Sequence, residues 1–192
     1  MIRKIIYILV TVVFAVLAYV VLRLTIPTAE VQQVSMMPTL QPGERLVMNK
    51  LAYVSSGPQR GDIITFYPLQ QPKPDFFEEI FPWSNTTVPL IKRTIGLPGD
   101  TVEITNGKII INGSVLNEPY ITDPPRYTLR PLKIPAGEYF VLGDNRNNSN
   151  DSHLGWTVPL DRIVGKAWLI YWPLQRLGAA PNYQQYAVSL SR

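Results

Sequence analysis

An uninterrupted apolar run near the N-terminus constrains the fold of this chain more than any other feature. Residues 5–22 read IIYILVTVVFAVLAYVVL and contain no charged side chain. In a helix these residues span roughly 27 Å at about 1.5 Å per residue, close to the ~30 Å hydrocarbon core of a bilayer. Tyr7 and Tyr19 lie near the two ends of the run, where amphipathic rings favour the membrane interface. The run therefore predicts a transmembrane anchor over residues 5–24.

The charges that flank the run predict its orientation. Arg3, Lys4 and the terminal amine precede it, whereas Arg23 follows it. Because cytoplasmic flanks carry the excess of positive charge, we expect residues 1–4 in the cytoplasm and residues 25–192 outside it. A cleaved signal peptide is the alternative, but its apolar stretch is usually about 7–15 residues long and ends in an A-x-A-like site. The run here is longer, and LTIPTAEV after it fits such a site poorly, which favours a permanent anchor.

The residue types that are missing or rare exclude several kinds of chemistry. The chain has no cysteine and one histidine, His153, which excludes a thiol nucleophile, a disulfide framework and zinc sites built from Cys or several His. We therefore expect no metal and no cofactor. The net charge is +4, but the basic residues are scattered rather than clustered, so nucleic acid is not an expected partner.

The remainder of the chain has the pattern of an all-β domain. Its 18 prolines recur throughout and are poorly tolerated inside helices. TVEITNGKIIING is a predicted hairpin, because two alternating β-branched runs meet at Asn106-Gly107, and a further turn is expected at Asn112-Gly113. Residues 24–34 are expected to form an extended tether and residues 69–88 a long loop. Further strands are predicted within RLVMNKLAY, DIITFYP, EYFVLGD and IVGKAWLIYW.

Two residues are candidates for a nucleophile and its base. Ser35 ends an extended segment, and Pro38 stops a strand from continuing, so the hydroxyl and the N–H of Ser35 can be exposed together. The alternative is an ordinary turn serine. Lys92 follows the apolar residues 88–91, and on a strand it can point inward, where burial lowers a lysine pKa from about 10.4 to as little as about 5–6. A neutral amine can take a proton from a serine hydroxyl. The alternative is a solvated, charged lysine.

A third segment, residues 143–153, reads GDNRNNSNDSH and places many polar residues between two hydrophobic strands. Such a segment is either a surface loop or a hydrogen-bonded network that supports a site.

Together these segments resemble the type I signal peptidase family in order, spacing and residue identity. SMMPTL at 35–40 is similar to the nucleophile motif of that family, and RGDIITF at 60–66 is similar to the strand that follows it. KRTIGLPGD at 92–100 resembles the general-base motif, and GDNRNNSND at 143–151 resembles the supporting motif, with IVGKA at 163–167 after it. Four motifs in order behind an N-terminal anchor are a specific signal.

The resemblance implies a fold and an activity. The expected fold is an all-β catalytic domain of antiparallel sheets that form a partly closed barrel, behind one N-terminal transmembrane helix. The expected activity is that of a membrane-bound serine endopeptidase, which removes N-terminal signal peptides from exported preproteins after small residues in the pattern A-x-A. Its expected partners are signal peptides and the lipid bilayer of a plasma (inner) membrane or a thylakoid-type membrane.

The resemblance also implies residue roles. Ser35 attacks the scissile carbonyl, and its backbone N–H donates a hydrogen bond to the oxyanion. Lys92 takes the serine proton, delivers it to the leaving amine and then activates the deacylating water. Ser149 hydrogen-bonds the Lys92 amine. The ion-paired scaffold that fixes the site consists of Asp144, Arg146 and Asp151, with Arg93 nearby. The substrate, with alanine-like side chains at the first and third positions before the cut, is contacted by Gln33, Met36, Leu40, Leu90 and Ile91.

Two positions depart from the family pattern. Gln33 lies two residues before Ser35, where many relatives have a serine or glycine. The second oxyanion donor is therefore open: the Gln33 amide could supply it, or none exists. His153 replaces the basic residue, usually arginine, that often follows Asp-Ser, and we expect it to keep a weaker, pH-dependent contact with Asp151.

Other functions are open at this level. His153 could make the site a Ser-His pair, although no oxyanion motif accompanies it. A self-cleaving regulator of the SOS-repressor kind has a similar Ser-Lys core, but the anchor and the lack of a helix-turn-helix pattern argue against it. A membrane-tethered β-domain could bind extended peptides without cutting them, yet it would need neither Ser35 nor Lys92.

An aromatic segment gives a prediction about the membrane. Its apolar residues are expected to form a rim near the site that touches lipid, and packing on the domain is the alternative. The residues concerned are Phe76, Phe77, Ile80, Phe81 and Trp83.

Overall fold

The apolar N-terminal run forms one long helix. The computed structural model describes residues 2–81 and 87–183. Helix α1, Ile2–Thr25, exceeds the predicted anchor at both ends, and none of its residues is buried against the rest of the chain. Within the described segments it is the one helix that is long and apolar enough to cross a membrane.

The rest of the described chain is built of short strands and one short helix. Helix α2 covers Phe76–Ile80. The strands are β1 Thr28–Glu30, β2 Arg45–Asn49, β3 Ile63–Phe66, β4 Leu90–Gly96, β5 Thr101–Thr105, β6 Lys108–Ile111, β7 Ser114–Val115, β8 Leu129–Lys133, β9 Glu138–Leu142, β10 Val158–Pro159, β11 Ile163–Trp172 and β12 Gly178–Ala179.

The strands form two antiparallel sheets. The larger sheet has the order β1-β2-β11-β3-β4-β9-β10. Its eighth strand, β12, pairs with β11, which also pairs with β2 and β3. The smaller sheet has the order β7-β6-β5-β8. The expected all-β fold of antiparallel sheets, with a partly closed barrel behind one N-terminal helix, is confirmed.

The predicted hairpin is confirmed in register and in turn type. Strands β5 and β6 pair with Thr105 opposite Lys108. Between them, Asn106 and Gly107 have φ of 50° and 72°. Two successive positive φ values define the tight hairpin turn that Asn-Gly favours. Asn112 and Gly113 repeat this conformation, with φ of 52° and 83°, and lead into β7.

Two sequence expectations about connecting segments are wrong in part. Residues 24–34 are not a free tether, because α1 continues to Thr25 and β1 pairs with β2 at the edge of the larger sheet. The expected loop 69–88 contains α2. The side chain of Asp75 accepts the Glu78 N–H, and the Glu78 side chain accepts the Asp75 N–H. This capping box is a sequence signal for a helix start, and it could have revealed α2.

Helix α2 lies against the anchor. The Tyr19 hydroxyl donates to the Ile80 carbonyl at 3.2 Å. The Ile80 side chain is buried, whereas Phe77 is 68% exposed and Phe81 is exposed as well. Trp83 lies outside the described residues. Lipid contact by this segment stays a prediction.

The core of the larger sheet fixes the elements that carry the candidate site. Met36 and Leu40 are fully buried in one apolar cluster with residues of β2, β3 and β11. Strand β4 runs between β3 and β9, with Lys92 opposite Ile64. The polar segment 143–153 follows directly after β9. The pairing of β4 with β9 therefore brings this segment close to the base candidate.

We predict that Gly165→Ala destabilises the fold, because β11 passes close to the end of β2. A Cβ at Gly165 would lie 2.8 Å from the Asn49 carbonyl oxygen, which belongs to a paired backbone. Forced overpacking of this kind typically costs about 1–3 kcal/mol. Thermal unfolding in detergent measures the change. Gly178→Ala on the neighbouring β12 is the control, because its nearest contact is 3.9 Å away. Equal melting temperatures for the two variants would contradict the prediction.

Candidate active site

The structure brings Ser35 and Lys92 together. Ser35 lies in a 3-10 turn, Val34–Met36, and Lys92 lies on β4. The Lys92 Nζ is 2.7 Å from the Ser35 Oγ, and the two residues are 2% and 7% exposed. Two buried neighbours hold the turn in place, since Met36 and Leu40 are anchored in the core and the Leu40 N–H donates to the Met36 carbonyl.

The surroundings of Lys92 shift the protonation equilibrium of its amine toward the neutral form. Burial is the largest effect and lowers the pKa of Lys92 from 10.5 to about 8, against the opposing charges of Asp151 and Asp144. At pH 7 roughly a tenth of the molecules then hold an uncharged amine. This amine already touches a hydroxyl, so the pair has the geometry and the basicity for proton transfer.

The polar segment 143–153 fixes the backbone at Ser35. The Asn145 N–H donates to the Ser35 carbonyl at 3.0 Å, and the Asn145 side-chain amide donates to the Val34 carbonyl at 3.2 Å. The Asp151 carboxylate accepts the Gly143 N–H at 2.9 Å and thereby closes the segment on itself. The segment is a supporting network and not a free surface loop.

Gly143 permits the close approach of this network. A Cβ at this position would lie 2.4 Å from the Ser149 Oγ and 2.4 Å from the Ser35 carbonyl oxygen. A side chain at residue 143 would therefore push the nucleophile away from the supporting segment.

The charged scaffold consists of two separate ion pairs. Arg93 binds Asp144 through two hydrogen bonds of 2.8 and 2.7 Å, with both side chains fully buried. Arg146 binds Glu118 in the same two-pronged way, at 2.7 and 2.6 Å, and its Nε donates to the Gly143 carbonyl at 3.0 Å. Asp151 pairs with neither arginine, so the expectation of one shared cluster needs this correction.

Glu118 is the residue that sequence reasoning missed. It lies in the connection between β7 and β8, 28 positions before Arg146. Burial lowers the pKa of Arg146, but the charge and hydrogen bonds of Glu118 raise it above its usual value. The available signal was indirect: a buried arginine needs a carboxylate, and Glu118 is an acidic residue in the otherwise uncharged segment LNEPYI.

Tyr120 lies between the two pairs. The Arg93 guanidinium is 4.2 Å from the centre of the Tyr120 ring, and the Tyr120 hydroxyl donates to Glu118 at 2.7 Å. On the other side, Arg93 donates to the carbonyls of Gly61 and Pro181. Residues from four parts of the chain thus satisfy one buried cation.

His153 contacts Asp151, as expected. Its Nδ1 lies 2.7 Å from the Asp151 Oδ1, and its ring stacks on Tyr127 at 4.1 Å. The imidazole is therefore engaged with its own neighbour, while the hydroxyl of Ser35 faces Lys92.

Ser149 lies at the site without the expected hydrogen bond. Its Oγ is buried and makes no hydrogen bond within the described part of the chain. It faces Gly143 beside the Ser35 backbone. The supporting role of Ser149 stays a prediction, and its unpaired hydroxyl has the capacity for that contact.

A cleft runs away from the Ser-Lys pair between residues 30–33 and residues 88–91. Of the predicted substrate contacts, Gln33, Met36, Leu90 and Ile91 line it. Gln33 also borders two further depressions on either side of Ser35 and Lys92. Leu40 does not line the cleft, because it is fully buried in the core cluster.

Comparison with known proteins gives consistent matches. Residues 3–172 match the family model described as signal peptidase, peptidase S26. Signal peptidase I of Leptolyngbya laminosa is 47% identical over 147 residues, 75% of this chain and 68% of that protein. Thylakoidal processing peptidase 1 of Arabidopsis thaliana chloroplasts is 37% identical over 153 residues, 79% of this chain and 43% of that protein. A crystal structure of a signal peptidase I from Enterococcus faecalis aligns with a TM-score of 0.39 and 33% identity, over 57% of this chain and 95% of that chain.

We predict that Glu118→Ala strongly destabilises the fold, because it leaves the buried Arg146 without its carboxylate. Breaking a buried pair in this way typically costs about 3–5 kcal/mol. Thermal or urea unfolding in detergent measures the loss. Glu103→Ala on β5 removes the same charge from a partly exposed position and is expected to change stability by no more than about 0.5 kcal/mol. A similar small change in both variants would show that the Glu118 pair is dispensable.

Proposed function

The chain belongs to the signal peptidase family, peptidase S26, and on this basis we propose that it cleaves signal peptides from exported preproteins through an acyl-enzyme formed on Ser35. Lys92 is the general base. One observation carries the assignment: a buried amine lies 2.7 Å from a buried serine hydroxyl and has a lowered pKa.

Acylation follows from this contact. The neutral Lys92 amine takes the hydroxyl proton while the Ser35 Oγ forms a bond to the scissile carbonyl carbon. The negative charge then moves to the carbonyl oxygen, where the Ser35 N–H can donate a hydrogen bond. When the tetrahedral intermediate collapses, the peptide C–N bond breaks and the Lys92 ammonium gives its proton to the leaving amine. The mature protein leaves, and the signal peptide stays as an ester on Ser35.

Deacylation uses the same base. The Lys92 amine, neutral again, takes a proton from a water molecule as the water oxygen attacks the ester carbonyl. Collapse of the second intermediate breaks the bond to Oγ, and the proton returns from Lys92 to Ser35. The Ser149 hydroxyl, which makes no hydrogen bond to any residue that the structure describes, is proposed to orient the amine through both halves of the reaction.

The remaining donor to the oxyanion is proposed to be the Gln33 side-chain amide. Gln33 borders the cleft and two further depressions, one lined by Ser35 and the other by Lys92, so its amide is proposed to reach the carbonyl oxygen of a bound substrate. The ion pairs of Arg93 and Arg146 do not transfer protons. They hold the polar segment that carries Ser149 and supports the Ser35 backbone.

The cleft suits an extended peptide. Two segments, 30–33 and 88–91, form its walls, and a substrate strand is proposed to lie between them, as in other cases of strand addition. Small side chains at the first and third positions before the cut would face the wall lined by Met36, Leu90 and Ile91. This is the proposed origin of the A-x-A preference.

The anchor places the cleft near the membrane. We propose that residues 1–4 lie in the cytoplasm, residues 5–24 span the bilayer and residues 25–192 form the extracytoplasmic peptidase domain. Ser35 follows Arg23 by 12 positions, which limits its distance from the membrane to about 40 Å. The relatives include a bacterial signal peptidase I and a thylakoidal processing peptidase, which supports a plasma membrane or a thylakoid-type membrane as the location.

One prediction of the proposed function concerns the two reacting side chains. With a preprotein that has an A-x-A site, Lys92→Ala should lower kcat/KM by about 10²–10⁴, and Ser35→Ala by at least as much. Gel analysis and mass spectrometry of the product measure the rate and the cut position. Lys133→Ala on β8 removes an exposed lysine and should leave cleavage unchanged, and His153→Ala should retain most of it. Loss of cleavage in His153→Ala with an intact fold would instead indicate a Ser-His enzyme, and binding without cleavage by the wild type would indicate a peptide-binding module.

A further prediction of the proposed function concerns pH. Because the reaction needs the neutral form of a lysine whose pKa is lowered to about 8, kcat/KM should rise with pH and level off above about pH 8. Below that value the rate should fall about tenfold per pH unit. A midpoint near the ~6.5 typical of histidine would contradict the assignment of Lys92 as the base.

A further inference from the structure

A cavity with both polar and apolar walls lies between the outer end of the anchor and the larger sheet. Its volume is about 230 Å³. Its wall includes Arg23 at the end of α1, Thr28 on β1, Lys50 after β2 and Thr65 on β3, with Glu78 on α2. We call it the anchor-side cavity. It is separate from the Ser-Lys pair, and the mechanism above does not use it.

Two residues of the cavity wall, Arg23 and Thr65, each carry a buried polar atom that has no hydrogen-bond partner in the described chain, Nε and Oγ1 respectively. Thr65 is 1% exposed. An unsatisfied buried group of this kind costs about 1–3 kcal/mol. The Arg23 Nε–H can only donate, and the Thr65 hydroxyl can donate as well as accept, so a guest with hydrogen-bond acceptors would satisfy both.

The anchor-side cavity continues the active-site cleft. Gln32, Val88 and Pro89 line both of them. Along the chain, Thr28 lies seven positions before Ser35, which limits their separation to about 23 Å. A peptide strand that runs along the cleft from Ser35 toward α1 therefore enters the cavity about five to seven residues from the reacting carbonyl.

The membrane end of the substrate must take this direction. A signal peptide stays connected to lipid on the N-terminal side of the cut, and α1 marks where lipid lies. We infer that the anchor-side cavity binds the polar stretch of the signal peptide about five to seven residues before the cut, with Arg23 and Thr65 as hydrogen-bond donors to its backbone and side-chain oxygens. This inference rests on the proposed function.

The test compares two peptides that share one A-x-A site. The short peptide begins four residues before the cut, and the long peptide begins eight residues before it, with Ser and Asn at the fifth to seventh positions. The full chain is used in detergent micelles. The variants are Arg23→Gln and Thr65→Val. Their controls are Arg130→Gln, at an exposed position of β8, and Thr94→Val, which removes an equally buried and unpaired hydroxyl away from the cavity.

The expected result is a change in KM for the long peptide alone. The wild type should cut the long peptide more efficiently, and each variant should raise its KM about five- to tenfold, as expected for about 1 kcal/mol per lost hydrogen bond. The kcat of each variant with the long peptide should stay unchanged, and so should its kcat and KM with the short peptide. The control variants should have the kcat and KM of the wild type with both peptides. Thermal melting of each variant checks the fold.

Other outcomes would overturn the inference. Equal KM values of both peptides in the wild type, or no effect of Arg23→Gln and Thr65→Val, would mean that the cavity holds water only. If anionic lipid vesicles stimulate cleavage of both peptides, and Arg23→Gln abolishes that stimulation, the guest is a lipid headgroup. Failure of the wild type to cut either peptide would refute the proposed function itself and is distinguishable from these results.

Discussion

The removal of water from one lysine amine is the constraint on which the rest of the structure depends. Arg93 and Arg146 each donate two hydrogen bonds to a carboxylate, Arg93 to Asp144 and Arg146 to Glu118. Among residues 2–81 and 87–183, no carboxylate forms an ion pair with Lys92, which contacts the Ser35 hydroxyl instead. A carboxylate at that point would keep the amine charged. The distribution of acidic partners therefore decides which of the basic side chains can lose its proton and act as a base.

The buried ion pairs are better understood as positioning elements than as a source of stability. Desolvation of two charges largely offsets their attraction, so such pairs contribute little net free energy compared with apolar side chains of the same size. They do fix direction, because a guanidinium and a carboxylate meet in one plane. Arg146 holds Glu118 on one side and the Gly143 carbonyl on the other. The smaller sheet is thereby fastened to the segment that supports Ser35.

Local sequence patterns predicted many of the structural elements of this molecule. Contacts between residues far apart in the sequence could not be predicted in the same way. The anchor and the Asn106-Gly107 hairpin depend on neighbouring residues, and motif order brought Ser35 and Lys92 together. The partner of Arg146 could not be found in this way, since Glu118 lies 28 positions earlier, in the connection between β7 and β8. Leu40 was assigned to the substrate by its place in a motif, whereas apolar side chains at a site and in a core look alike in a sequence.

The segment 178–183 has a consequence for the order in which the site is assembled. The Pro181 carbonyl accepts a hydrogen bond from Arg93, and the Asn182 side chain joins the Ile63 N–H to the Ala167 carbonyl. In a chain still emerging from the ribosome, these groups have no partners until the segment has been synthesised. Ser35 and Lys92 are made early, yet the scaffold beside them closes late. Translation itself thus delays the maturation of the catalytic centre until residues 178–183 have appeared.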